Sequence, residues 1–222
     1  PQQVGRSHEC DYPSEVRALP VCTEPNFKVE GSSAEVDQRV KQVLEQALSV
    51  YRVDTDRLEQ LQPDIIITQS QCEVCAVSLK DVEQAAAALV SSRPEIVSLE
   101  PNALADVWAD IRRVATALDA PQRGDELVAQ LQTRLQAIAA TARTLPQQPS
   151  VACIEWIEPL MAAGNWMPEL VELAGGANLF GLAGRHSPWM TWTELVEADP
   201  DVIVVLPGGY DLTKTRQALP AL

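Results

Sequence analysis

Short apolar runs alternate along the chain with longer segments whose apolar residues recur every three or four positions. The short runs are apolar throughout and do not alternate with polar residues, which is typical of strands covered on both faces of a sheet. Strands and helices in this alternation predict an α/β fold with parallel sheets. The predicted strands are Gln3–Ser7, Ile65–Thr68, Ile96–Leu99, Val151–Ile154 and Val202–Leu206. After Tyr210 the pattern predicts no complete further element.

Residues that cap helix N-termini stand before most of the helical segments. Ser32 is followed three positions later by Glu35, which is the pattern of a capping box. Pro168 predicts the start of a helix that ends at Gly175 and Gly176. The remaining predicted N-caps are Asp54, Ser78, Asn102 and Thr191.

The longest helical pattern runs from about Pro121 to Thr144. Roughly 22 residues at a rise of 1.5 Å each reach ~33 Å, which is about the width of a small domain. One long helix between two strand–helix blocks predicts two Rossmann-like lobes joined by a single backbone helix, with ligand in the cleft between them. The predicted domains are an N-terminal lobe at residues 1–118, the connecting helix at 119–146 and a C-terminal lobe at 147–222.

Composition and charge exclude several kinds of partner. The chain has 222 residues, is 46% hydrophobic and carries a net charge of −14. It has no basic run, which argues against nucleic acid and anionic membrane surfaces as partners. No apolar run reaches the ~20 residues that a membrane-spanning helix needs. These properties predict a globular protein that does not itself cross a membrane.

Cys72 and Cys75 form a CxxC pair just after a predicted strand, with Glu73 between them. Two thiolates at this spacing can supply half of a tetrahedral zinc site, which His8 or Cys10 could complete. The same pair at the start of a helix could instead form a redox couple, or the thiols could only pack the loop. The five cysteines are an odd number, so at least one thiol is free or paired outside the chain.

Two further polar segments, His8-Glu9-Cys10 and Glu155-Trp156, also follow strand-like runs. If the strands are parallel, these segments lie at the carboxyl ends of the sheets, where open α/β folds bind ligands. The imidazole of His8 could bind a ligand, bind a metal or hold the loop. The indole rings of Trp156 and Trp166 are flat platforms for a large ring ligand, although core packing explains tryptophans equally well.

Common catalytic patterns are missing from the sequence. It contains no Ser-His-Asp order, P-loop, GxGxxG or HExxH motif. The sequence therefore gives no support to an enzyme of these classes.

Several segments together resemble the cobalamin-binding proteins of ABC importers, within the wider family of periplasmic receptors for cobalamin, haem and siderophores. Leu-Gln-Pro-Asp at 61–64 and Leu-Ala-Gly-Gly at 173–176 resemble marks of the whole family. His-Glu-Cys-Asp-Tyr-Pro at 8–13 and Cys-Glu-Val-Cys-Ala-Val-Ser at 72–78 are similar to a narrower branch. The likeness covers nearly the whole chain.

The resemblance implies a monomeric protein that binds a small molecule without covalent chemistry or a required cofactor and delivers it to an ABC permease. It implies permease docking by one acidic residue in each lobe, at Asp56 and at Glu194, which stands beside the matching position Thr193. It also implies a periplasmic or extracytoplasmic location, while the free cysteines and the lack of a visible signal peptide leave the cytoplasm open. Relative to the family, both ends of the chain are expected to be cut.

The histidine–cysteine cluster departs from the familiar cobalamin receptor, which has none at these loops. The branch is therefore expected to bind cobalamin or a related metal chelate, or a metal itself, with zinc or iron as the candidates. The alternative function is a metal-binding protein or metal-dependent enzyme. The predicted metal ligands are Cys72, Cys75 and His8, with Cys10 as a further candidate. The predicted ligand-binding residues are His8, Glu9, Cys10, Cys72, Glu73, Cys75, Glu155, Trp156 and Trp166.

Overall fold

The computed structural model describes residues 2–46, 49–71, 78–89 and 91–222. Its strands are β1 (Thr23–Pro25), β2 (Tyr51–Val53), β3 (Ile65–Gln69), β4 (Glu95–Leu99), β5 (Ser150–Trp156), β6 (Met161–Ala162), β7 (Ala177–Asn178) and β8 (Val202–Val205). Its helices are α1 (Ser33–Glu45), α2 (Thr55–Leu61), α3 (Leu79–Ala88), α4 (Leu104–Ala117), α5 (Pro121–Ala142), α6 (Met167–Leu173), α7 (Trp192–Ala198) and α8 (Leu212–Ala218). Short 3₁₀ helices span Ser14–Ala18 and Leu219–Ala221.

The chain divides into two compact units. The first contains Pro1–Gly31, Gln38–Glu100 and Arg113–Ala120, and the second contains Ser32–Asp37, Pro101–Arg112 and Pro121–Leu222. Both units mix helices with strands, so the predicted α/β class is confirmed. None of the described helices is both long enough and apolar enough to pass through a bilayer.

The described residues of the first unit form two small sheets. Strands β3 and β4 are parallel, from Ile65 opposite Glu95 to Gln69 opposite Leu99. Strands β1 and β2, which the sequence pattern did not indicate, pair antiparallel. The predicted strand Gln3–Ser7 is wrong, because only Arg6 pairs there, in a single parallel bridge to Val21. An apolar run becomes a strand only where a partner backbone continues beside it.

The core of the first unit lies between these strands and the helices that follow them. One cluster joins α2 and α3 through Leu58, Ala85 and Leu89, with the buried thiol of Cys22 among them. A second cluster contains Val50, Tyr51 and Val82. The apolar stripes of the two helices therefore pack as their sequence periodicity predicts.

Most of the predicted helix starts are confirmed. The Ser32 hydroxyl accepts from the Glu35 backbone N–H at 3.3 Å, and the Glu35 carboxylate accepts from the Ser32 backbone N–H at 2.8 Å, which completes the capping box. Asp54 caps α2, Ser78 caps α3 and Thr191 caps α7. The predicted cap at Asn102 is displaced, since α4 begins at Leu104. The Asp106 carboxylate accepts there from the backbone N–H groups of Asn102 and Ala103.

A four-stranded sheet organises the second unit around β5. Strand β8 runs parallel to β5 along one edge, from Val151 opposite Val202 to Ile154 opposite Val205. Strand β7 is also parallel to β5, and β6 is antiparallel to it. Since a strand has two edges, β6 and β7 share the edge that β8 leaves free. The parallel pairs bring the carboxyl ends of β5 and β8 together.

Strand β5 is buried on both faces, as its apolar sequence predicts. Val151 and Cys153 pack with α6, whereas Ala152 and Ile154 pack with Leu195 of α7. The same expectation is wrong for β8, where Val202, Ile203 and Val204 remain 40–46% exposed. Strand β8 pairs with β5 on one edge, and no other described strand pairs with it.

Helix α5 confirms the long helix predicted from Pro121 to Thr144, and it ends at Ala142. It packs against α6. Gly175, just after α6, lies so close to α5 that an added Cβ would be 2.9 Å from the Cβ of Ala142. Helix α8 corrects the expectation of no further element after Tyr210. The sequence did contain a signal for this helix, because Asp211 is a favourable N-cap residue and its carboxylate caps α8.

Candidate functional site

Glu155 lies in a bulge at the carboxyl end of β5. In the pairing with β6, Ile154 lies opposite Ala162 and Trp156 lies opposite Met161, so Glu155 is the additional residue. A bulge bends the strand and changes the direction of its side chains, and bulges are common beside functional sites. The pair Glu155-Trp156 therefore lies at a sheet end, as the sequence predicts, with a local geometry that the sequence did not indicate.

The Glu155 carboxylate is held by a buried serine. The Ser187 hydroxyl donates to Glu155 Oε2 at 2.8 Å and accepts from the backbone N–H of Gly164 at 3.0 Å. Ser187 is only 4% exposed. The hydroxyl thus satisfies one buried donor and fixes the orientation of the carboxylate, which is half-buried.

The loop that carries Ser187 is fastened to the segment after β6. The backbone N–H of Asn165 donates to the carbonyl of Arg185 at 2.6 Å, and the N–H of Gly184 donates to the carbonyl of Asn165 at 3.0 Å. A Cβ at Gly164 would lie 2.5 Å from the Arg185 oxygen, so glycine alone permits this approach. Trp166 follows this segment, half-buried at the start of α6.

The Trp156 indole packs against a tyrosine that the sequence reasoning missed. The ring centroids of Trp156 and Tyr210 are 5.5 Å apart at 62°, an edge-to-face arrangement. The indole N–H donates to the carbonyl of Glu158 at 3.1 Å, and Lys214 Nζ lies 3.9 Å from the centroid of the Tyr210 ring. The sequence signal for this contact was Gly208-Gly209. These glycines form a turn shortly after β8, and the turn keeps Tyr210 near the end of the sheet before α8 begins.

His8 in the first unit lies between Thr23 and Tyr51. Its Nδ1 is 2.7 Å from the Thr23 hydroxyl oxygen, which also accepts from the His8 backbone N–H at 3.1 Å. The imidazole and the Tyr51 ring have centroids 5.1 Å apart. Burial lowers the pKa of His8, and the Glu9 carboxylate, 3.5 Å from Nε2, acts in the opposite direction. The structure thus holds the His8 imidazole against Thr23 and Tyr51, and the binding roles of His8 and Glu9 stay predictions.

Arg6 holds the loop in which His8 and Cys10 lie. Its Nη1 donates to the carbonyls of Ser7 at 3.0 Å and Cys10 at 3.2 Å. Cys10 is half-buried and forms no disulfide. The guanidinium thus pairs with backbone carbonyls in a segment where the predicted strand does not form.

The predicted metal site depends on residues that the structure leaves undescribed. Cys72, Glu73 and Cys75 lie outside the described residues, so their roles stay predictions. Within the described ranges, no group of three or more His, Cys, Asp or Glu side chains could hold a metal. Among the described cysteines, Cys22 and Cys153 are buried, and burial raises the pKa of both thiols, which keeps them protonated at neutral pH.

The two predicted docking residues are both exposed. Asp56 lies in the first turn of α2, and Glu194 lies in the first turn of α7. Glu194 Oε2 accepts from the Thr191 backbone N–H at 2.7 Å and from the Thr191 hydroxyl at 2.8 Å. These hydrogen bonds lower the pKa of Glu194. The cap therefore fixes the Glu194 carboxylate at the surface, and permease docking itself stays a prediction.

An open depression of about 650 Å³ lies at the opposite end of β5. It is formed by the last turn of α5, the following loop and α6, with Arg143, Glu172 and Gly175 in its lining. Its walls contain none of the predicted ligand-binding residues. We place the candidate site at the carboxyl ends of β5 and β8, where Trp156 packs against Tyr210 and Lys214 lies over the Tyr210 ring. The neighbouring residue Glu155 has its carboxylate fixed by Ser187.

Comparison with known proteins gives both a family match and structural neighbours. The family model described as "Periplasmic binding protein" matches residues 28–219. No curated protein sequence matches the chain.

Three solved structures illustrate the structural likeness. A periplasmic heme binding protein from Pseudomonas aeruginosa shares 21% identity over 99% of this chain and 70% of its own, with a TM-score of 0.66. An ABC transporter substrate-binding protein from Listeria monocytogenes shares 17% identity over 98% and 72%, with a TM-score of 0.65. The periplasmic vitamin B12 binding protein BtuF of Vibrio cholerae shares 16% over 91% and 67%, with a TM-score of 0.60. At these identities the likeness shows the fold.

Proposed function

Because the chain belongs to the Periplasmic binding protein family, we propose that it is a solute-binding protein that captures cobalamin or a related metal chelate for an ABC importer. The protein binds and releases its ligand without turnover, and it does so outside the cytoplasm, as the family implies.

The Trp156–Tyr210 pair at the carboxyl ends of β5 and β8 is the observation that carries the ligand class. Two aromatic rings 5.5 Å apart at 62° present both an edge and a face. Such a surface suits a large flat ring system, because aromatic groups contribute apolar area with little loss of conformational freedom. Structural neighbours of this chain include heme-binding and vitamin B12-binding proteins, whose ligands are tetrapyrrole chelates.

The polar groups nearby would orient such a ligand. Glu155 is fixed by Ser187, and the backbone N–H of Gly208 donates to the Glu155 carbonyl at 3.3 Å. Binding sites for small molecules commonly combine an apolar wall with a few fixed polar groups. His8 and Glu9 are the corresponding candidates in the first unit, and Asp56 and Glu194 are the proposed contacts to the permease.

Equilibrium dialysis of the full-length protein against cyanocobalamin and against haemin tests the proposal. Binding of at least one chelate is expected, with a dissociation constant on the order of micromolar or tighter and a change in its visible absorption spectrum. Simple cobalt and iron salts are the matched controls and should be retained far less well. Retention of neither chelate at about 100 μM would reject the proposed ligand class.

A further inference from the structure

Lys214 is placed over the Tyr210 ring by the start of α8. Asp211 caps this helix, and its Oδ1 accepts from the Lys214 backbone N–H at 2.7 Å. Tyr210 directly precedes this cap, and Lys214 in the first turn of α8 places its Nζ 3.9 Å from the Tyr210 centroid. The cap and the turn before it therefore fix the position of the ammonium group.

The charge of Lys214 has no acidic partner in the described part of the chain. No described carboxylate lies within ion-pair distance of Nζ, although acidic residues outnumber basic ones by 31 to 17. A ring face attracts the ammonium but does not neutralise it. The side chain is half-buried, so part of its hydration is already lost. An anion arriving there would gain a charge-assisted hydrogen bond.

The Tyr210 hydroxyl is a second unsatisfied group at this place. It is buried and forms no hydrogen bond to the described protein atoms. A buried hydroxyl without a partner is unfavourable, because its lost hydration is not replaced. The hydroxyl can donate a hydrogen bond to an oxygen acceptor, and the ammonium group of Lys214 can donate to the same kind of acceptor.

Open space lies beside Gly208, two residues before Tyr210 in the chain. A Cβ added at Gly208 would meet no atom within 4 Å. Gly208 follows β8, and its backbone N–H donates a hydrogen bond to the carbonyl of Glu155 at the end of β5. The carboxyl ends of parallel strands are where open α/β sheets bind ligands, so the space is where a ligand would approach.

We propose that Lys214 recognises an anionic substituent of the ligand, a carboxylate or a phosphodiester, while Trp156 and Tyr210 contact its ring system. This inference rests on the proposed function and adds a specificity determinant to the same site. Lys214 then selects chelates that carry a negative group at their periphery over otherwise identical neutral ones.

Two matched pairs of probes separate the possible anions. Cyanocobalamin carries a phosphodiester within the nucleotide that dicyanocobinamide lacks, and haemin carries two propionates that its dimethyl ester masks. The full-length protein is expected to bind the anionic member of at least one pair more tightly. Lys214→Gln should weaken binding of that member roughly tenfold, a size consistent with loss of a partly exposed charged hydrogen bond. The same variant should leave the neutral member within about twofold.

Arg216→Gln is the matched control, because it removes a positive charge from the exposed surface of the same helix. Arg216→Gln should leave the affinity for both probes of the pair unchanged. An equal loss for both members in Lys214→Gln, or no loss for either, would overturn the inference while leaving the proposed function standing. If the unmodified protein binds none of the four probes, the proposed function fails and the inference fails with it.

Discussion

The buried hydroxyl of Ser187 donates a hydrogen bond of 2.8 Å to the carboxylate of Glu155, 32 positions earlier in the chain. The same hydroxyl accepts from the Gly164 backbone N–H. One small side chain thus joins the bulge of β5, the segment after β6 and the loop before α7. The carboxylate at the candidate site owes its orientation to this contact.

Removal of the Ser187 hydroxyl is expected to destabilise the second unit. Ser187→Ala leaves both the Gly164 N–H and Glu155 Oε2 without this partner, and a buried polar group without a partner costs about 1–3 kcal/mol. Urea unfolding followed by circular dichroism measures the loss. Ser14→Ala removes an exposed hydroxyl and should stay within about 0.5 kcal/mol of the unmodified protein. Equal stability of the two variants would show that the serine contributes nothing.

Two glycines near the candidate site are expected to respond in opposite ways to the same substitution. Gly164→Ala would place a Cβ 2.5 Å from the Arg185 oxygen and 2.7 Å from the Ser187 nitrogen, so backbone must move. Overpacking of this kind costs about 1–3 kcal/mol. Gly208→Ala meets no atom within 4 Å and should leave the unfolding midpoint nearly unchanged. Similar midpoints for both variants would contradict the described packing around Gly164.

The protein is expected to lose stability through His8 as the pH falls through about 6.5, the ordinary pKa of a histidine. Burial holds the pKa of His8 below its ordinary value, so the unfolded chain takes up the proton first as the pH falls. The free energy of unfolding therefore decreases as the pH drops through the unfolded value of about 6.5 toward the folded one. His8→Gln should flatten this part of the stability curve.

His186→Gln is the matched control for that pH series. It removes the other histidine, which lies exposed in its loop, and leaves the contacts of His8 intact. Stability curves measured by urea unfolding at several pH values should keep their slope in this variant. If His8→Gln keeps the slope and His186→Gln removes it, burial of His8 is not the cause.

The sequence predicted the elements whose signals are local. Ser32, Asp54, Ser78 and Thr191 all cap helices where the pattern placed them, because a cap requires only the residues of its own first turn. The long helix α5 was equally clear from its periodicity. Strand Gln3–Ser7 failed because a strand also requires a partner, and the sequence of one segment does not contain it.

The candidate site was predicted only in part for the same reason. Glu155 and Trp156 were placed at a strand end correctly, but the bulge depends on the register with β6. Tyr210 and Lys214 were missed because α8 has only a weak apolar stripe and its Asp211 cap was overlooked. Ser187 stands in a loop of Gly, Ser and Pro residues, where only the three-dimensional arrangement shows what its hydroxyl contacts.

Tryptophan fluorescence, titrated with cyanocobalamin and with haemin, tests the central claim most directly. One of the two chelates should quench the emission of the full-length protein saturably. Trp156→Phe should remove much of that quenching and weaken binding, whereas Trp189→Phe, at a residue 57% exposed, should preserve both. Absence of saturable quenching by either chelate, or an affinity in Trp156→Phe equal to that of the unmodified protein, would contradict a ligand site at this aromatic pair.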